Sequence, residues 1–105
     1  MNIIANLNKM FESRIRLGIM SILMVNDWVD FLALKELLEV SDGNLASHLK
    51  ALESEEYMEV RKQFVGKKPK TSYRASLLGR NEFNLHLENL NKLLSNTQEV
   101  VKKRD

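Results

Sequence analysis

Cysteine is missing from this 105-residue chain, which excludes disulfides and thiolate metal sites. Acid is missing from one long stretch: residues 61–74 hold six of the 16 basic residues and none of the 14 acidic ones. No window approaches the roughly 18 apolar residues that a membrane span needs. The start, Met1-Asn-Ile-Ile-Ala-Asn6, lacks the basic region and cleavage site of a signal peptide, so a cytoplasmic location is expected. Two histidines without cysteine or clustered carboxylates make a poor metal site. There is no nucleophile–base pair, phosphate-cradling glycine loop or carboxylate pair in a plausible pocket, so an enzyme is the least supported class and no cofactor is expected. Repeats, low-complexity runs and linkers are also lacking.

What is present fits one domain over residues 1–105, with a modest core. The apolar fraction of 44% and charged fraction of 29% are those of an ordinary globular protein. The net charge of +2 hides an uneven distribution. Outside residues 61–74 there remain ten basic residues against 14 acidic ones, a balance of −4. A positive ribbon on a mildly negative body points to a polyanion as partner. The plainer alternative is a solvated charged hairpin.

The periodicity predicts a first helix over 7–25. Phe11, Ile15, Ile19 and Ile22 line one face, while Met10, Leu17, Met20 and Met24 form a second apolar stripe. A helix apolar on two sides must be covered on two sides, by the C-terminal helix or by a second copy of the chain. Trp28-Val-Asp-Phe-Leu32 is β-inclined and could add a strand to a later hairpin. A helix-turn-helix is expected over 33–56. Leu34, Leu37 and Leu38 mark its first helix, and Ser41 caps a second whose buried face is Leu45, Leu49 and Leu52. Residues 57–75 read as a hairpin with a loose tip around Gly66 and Pro69. Ser76 can cap a last helix over 77–101, where Phe83, Leu87, Leu90, Leu94, Thr97 and Val101 trace a heptad seam. The tail 102–105 is expected to fray.

With the leucines inward, Gly43, Asn44, Ser47, Lys50, Ala51 and Ser54 face outward from the second helix of the pair. Short side chains there suit a helix entering a major groove. Asn44 and Ser47 are the candidates for reading bases and Lys50 for phosphate, although small polar residues are also common on an ordinary solvated face. His48, at the border of the buried arc, joins the DNA-facing set but suits a helix–helix seam better. His86 reads as a packed interface residue. Lys67, Lys68 and Lys70 at the hairpin tip, with Arg61, Lys62 and Arg74 on its strands, suit phosphates or a minor groove. Phe64 and Tyr73 read as packing residues. A dimer interface is expected from Met10, Leu17, Met20, Met24, Phe83, Leu87, Leu90, Leu94 and Val101, filled by side chains rather than by a small ligand.

Residues 37–53, then Val60-Arg-Lys-Gln-Phe-Val-Gly-Lys-Lys-Pro-Lys-Thr-Ser-Tyr-Arg74, then Gly79-Arg80, resemble bacterial and archaeal winged-helix transcriptional regulators. Among these the likeness is greatest to small single-domain proteins related to the MarR and ArsR families. The resemblance implies a mainly α fold with a small β-hairpin. It also implies a homodimer that sets paired helices in successive major grooves of double-stranded DNA, with the wings alongside. Ala75 stands where a larger apolar residue is frequent, and Glu55-Glu56-Tyr57 replaces a frequent glycine turn. A winged-helix module that binds another protein is the alternative, because the fold serves both ends.

Overall fold

The computed structural model describes residues 2–104. Asn8 accepts the Met10 N–H on its side chain at 2.9 Å and starts a tight 3-10 turn over Lys9–Glu12. Ser13 is extended, and its Oγ accepts the Arg16 N–H, capping α1 (Arg14–Val25). The expected first helix over 7–25 is therefore two pieces, because two local side-chain caps win over continuous helical winding. Strand β1 is only Val29–Asp30. Asp30 Oδ1 accepts the Ala33 N–H at 2.8 Å, which turns Phe31 and Leu32 from strand into the start of α2 (Phe31–Leu38). Ser41 caps α3 (Asp42–Ser54).

The hairpin pairs β2 (Met58–Val65) with β3 (Lys68–Ala75), and β1 joins the other edge of β3 in the order β1-β3-β2. Val65 lies opposite Lys68, so the tip is a tight two-residue turn. Gly66 takes φ +65° at its first central position, as a type II′ turn requires. β1 reaches only Ser72 and Tyr73, so Pro69 deprives no third strand of a donor. Ser76 accepts the Gly79 N–H at 3.0 Å and caps α4 (Leu77–Asn96). One non-helical residue, Thr97, separates it from α5 (Gln98–Arg104). The last helix is thus interrupted for one residue at Thr97, itself still in the αR region, where an unbroken run to 101 was expected. It then stays helical through Arg104, with Lys102, Lys103 and Arg104 placed to complement its negative end. Asp105 lies outside the described residues.

α1 is the central helix, touching α2, α3, α4 and β3, so Ile19, Met20 and Leu23 are fully buried. Leu34, Leu45 and Leu52 meet them from the helix-turn-helix, while Phe83 packs edge-on against Phe11 at 5.1 Å. Truncating any of these leucines would cost about 2–5 kcal/mol. Both stripes of α1 are thus covered largely within one protomer, and Met20 and Phe83 are withdrawn as dimer-interface residues. Met10, Leu17 and Met24 are half-buried against the same core.

Two residues tie three elements together. α3 ends in a Schellman motif, with Glu56 N–H donating to Glu53 O at 2.9 Å and Tyr57 N–H to Leu52 O at 3.0 Å. Glu56 holds the left-handed conformation (φ +61°) that glycine usually supplies. The Tyr57 carbonyl accepts the Ser76 N–H at 3.0 Å, and Ser76 Oγ donates to Glu56 O at 2.7 Å. A Cβ on Gly79 would lie 1.9 Å from that same Tyr57 oxygen, so α4 sits directly on the turn between α3 and the wing.

The molecule measures 66 × 26 × 21 Å with a radius of gyration of 17.1 Å, against about 13 Å for a globule of this length. The elongation comes from the far half of α4 together with α5. There Leu87, Leu90, Leu94 and Val101 are 45, 38, 73 and 58% exposed.

Candidate nucleic-acid interface

α3 presents one face to solvent. Gly43, Asn44, Ser47, Lys50 and Ser54 are exposed and Ala51 is half-buried, while Leu45, Leu49 and Leu52 anchor the other side. Asn44 and Ser47 lie in the first half of the helix, with no side chain of the protein bonded to theirs among the described residues. Ser54 donates to the Lys50 carbonyl at 2.9 Å and is tied to its own helix. His48 is turned aside. Its Nδ1 lies 3.1 Å from Nη1 of Arg16, whose Nε donates to Met10 O at 2.7 Å. That places His48 at the α1–α3 seam, and its role as a DNA contact is corrected accordingly.

The wing alternates by strand geometry. Met58, Val60, Tyr73 and Ala75 face the core, while Glu59, Arg61 and Arg74 lie on the opposite face together with Ser72, which is itself buried at 2% exposed. Over that outer face lies Trp28, in contact with two guanidinium groups: Arg61 at 4.3 Å and Arg74 at 4.6 Å from the ring centre. Arg74 is also bound by Glu59 at 2.6 Å and Asp27 at 3.6 Å. The Arg74 hydrogen bond holds the Glu59 carboxyl below its usual range, and Glu59 raises Arg74 in turn. Lys70 lies 3.7 Å from Asp30. Six unopposed cations become four: Arg61, Lys62, Lys67 and Lys68 have no acid within pairing distance among the described residues. Arg74 is thus part of the wing's own structure, and Lys70 is partly neutralised.

Sequence reasoning missed Trp28, Asp27, Asp30 and Glu59. The signal was the register: a two-residue turn at Gly66-Lys67 sets Glu59 opposite Arg74, and the looser tip expected left that pairing unassigned. Tyr73 is a packing residue as expected, 8% exposed, and burial pushes its hydroxyl up, assisted by the charge of Glu53. Phe64 is not; it is 74% exposed and Val65 beside it 59%. His86 is buried inside one protomer rather than at an interface. Its Nδ1 accepts the Asn8 N–H at 3.1 Å, and burial pushes its pKa down against the opposing pull of Glu12. Among the described residues no group of histidine and carboxylate side chains is arranged to hold a metal ion.

The profile of the winged helix DNA-binding domain family matches residues 15–94, the span from α1 almost to the end of α4. The chain belongs to that family. Membership makes DNA its partner and binding, rather than catalysis, its task. MJ0432, an uncharacterized protein of Methanocaldococcus jannaschii, is 32% identical over 90 residues, covering 86% of this chain and 98% of its own. A transcriptional regulator homologue of Pyrococcus horikoshii superposes with a TM-score of 0.79 at 24% identity, covering 91% of this chain and 93% of the other. The ytfH protein of Salmonella typhimurium gives 0.68 at 24% identity, over 91% and 85%. At that identity the two structures speak for the fold: a small winged helix, mainly α, with a three-stranded antiparallel sheet and a long C-terminal helix. No helix among the described residues is long and apolar enough to cross a membrane.

Proposed function

We propose that the protein is a cytoplasmic, homodimeric transcriptional regulator, a repressor, related to the MarR and ArsR groups, that binds specific sites on double-stranded DNA. The observation that carries this reading is the pairing of α3's exposed small polar face with a wing whose turn cations, Lys67 and Lys68, have no acid partner among the described residues. Asn44 and Ser47 read base edges in the major groove, with Lys50 on phosphate. Lys62, Lys67 and Lys68 clamp the flanking backbone, and Arg61, stacked on Trp28, adds a pre-oriented contact. The bare seam of Leu87, Leu90, Leu94 and Val101 is closed by the same seam of a second copy.

The test is selection of binding sites from random duplex DNA by the purified protein, followed by titration at several salt concentrations. A selected palindrome with half-sites about 34 Å apart is expected, with affinity falling steeply as salt rises. Replacing Lys67 and Lys68 by alanine should weaken every sequence alike and lower the salt slope by about two per protomer. Replacing Asn44 by alanine should relax selection at one position. Failure to bind any duplex at low salt would favour a protein-binding module instead.

A further inference from the structure

The wing is longer than its support. Residues 61–70 are exposed throughout, and β1 backs the hairpin only at Ser72 and Tyr73. Beyond that support the four residues Lys62–Val65 carry the hairpin about 13 Å further. At its far end sits a small apolar group. Phe64 lies directly opposite Pro69, one pair short of the turn, with Val65 adjoining. An aromatic ring 74% exposed at the tip of a ribbon contributes nothing to the fold there. Its surroundings say what covers it. Lys62 shares its face two residues down the strand, and Lys67 and Lys68 stand at the turn, all three without an acid partner among the described residues. Apolar tip and cationic collar together match a minor groove, where an apolar wedge can enter between partly unstacked bases while cations meet the two flanking rows of phosphates. The ring also lies on the side of the sheet that, at the hairpin's base, packs on the helices.

We propose that Phe64 is a minor-groove wedge: it enters the groove beside the major-groove site, presses on a base step and bends the duplex, while Lys67 and Lys68 hold the phosphates on either side. The proposal rests on the reading of the wing as a DNA contact. The chemistry is that of apolar side chains that partly unstack one step and kink the helix by about 20–90°. Flexible pyrimidine–purine steps yield most easily, so a TA or CA step is expected under the tip, at a position no side chain reads by hydrogen bonds.

The experiment uses the full chain and the tightest duplex from the selection above, labelled at both ends for energy transfer. Wild-type protein should shorten the end-to-end distance. Phe64→Ala should bind about tenfold more weakly, with an unchanged salt slope and the DNA left straighter, whereas Phe64→Leu should keep most of the bend. In a Trp28→Phe background, Phe64→Trp supplies a lone indole at the tip, and duplex should shield it from acrylamide. Phe64 is exposed, so the melting temperature of Phe64→Ala should match wild type. If wild type binds with steep salt dependence while Phe64→Ala bends and binds DNA equally well, the wedge is refuted and the DNA reading stands. If the indole is shielded without DNA as protein concentration rises, the tip docks on a second copy and the wedge is again refuted. Absence of any duplex binding by wild type overturns both.

Discussion

Leu94 offers the sharpest test of the dimer. The seam residues differ in how much burial a second copy can still add: Leu87 and Leu90 are 45 and 38% exposed, Leu94 is 73%. Full burial of a leucine stabilises by about 1.5–3 kcal/mol, so covering Leu94 adds about 1.5 kcal/mol and covering either of the others about half that. A two-fold axis counts every substitution twice. Leu94→Ser should therefore weaken the dimer by about 3 kcal/mol, about a hundredfold in its dissociation constant. Sedimentation equilibrium across a dilution series reads this directly, the monomer being 12.2 kDa. Leu94→Met is the control and should stay dimeric. Since Leu94 lies far from the core, the melting temperature extrapolated to the monomer should not move. An unchanged dissociation constant for Leu94→Ser, or wild type sedimenting as a monomer at high micromolar concentration, would refute the seam.

Gly79→Ala should lower stability by about 3 kcal/mol and the melting temperature by at least about 10 °C, because its Cβ meets backbone at 1.9 Å and backbone cannot step aside; a near-normal thermal melt would contradict that close approach. Lowering pH should weaken the fold through His86. Burial depresses its folded pKa, so its contribution is complete above the unfolded value of about 6.5 and declines as pH falls below it, as protonation removes the acceptor for Asn8. His86→Gln should flatten that part of the stability profile, and superimposable wild-type and variant profiles would exclude the mechanism.

Much of this architecture could be read in advance where one residue type decides a local outcome. Ser41 and Ser76 cap the helices expected of them, and the leucine spacing in α3 located its buried side. The errors share a cause. A 3-10 turn and an α-helix both keep Phe11 inward, so periodicity across Ser13 could not reveal the break. A stripe of methionines says that a face is covered but not by what, and Met20 turned out to lie beneath the protomer's own elements. The heptad seam had the same ambiguity: its first member, Phe83, turns into the core and its later members stay bare. In the wing, composition counted six cations, but their pairing depends on register and on acids from two other segments, Asp27 and Asp30.

The junction at Glu56-Tyr57 also limits how such a molecule could be controlled. α3, the ribbon and the long helix all bond to, or rest on, this one dipeptide, so they are tied together as a single block. In the proposed dimer, a change in the crossing angle of the two copies along the far part of the long helix would not reshape either proposed DNA-contacting surface. It would alter instead the separation and rotational phase between the two surfaces, a lever arm of about 30 Å converting a few degrees at the seam into ångströms at the DNA. Control exerted at the seam would act on the spacing of half-sites that the pair can straddle and leave unchanged which bases each half prefers.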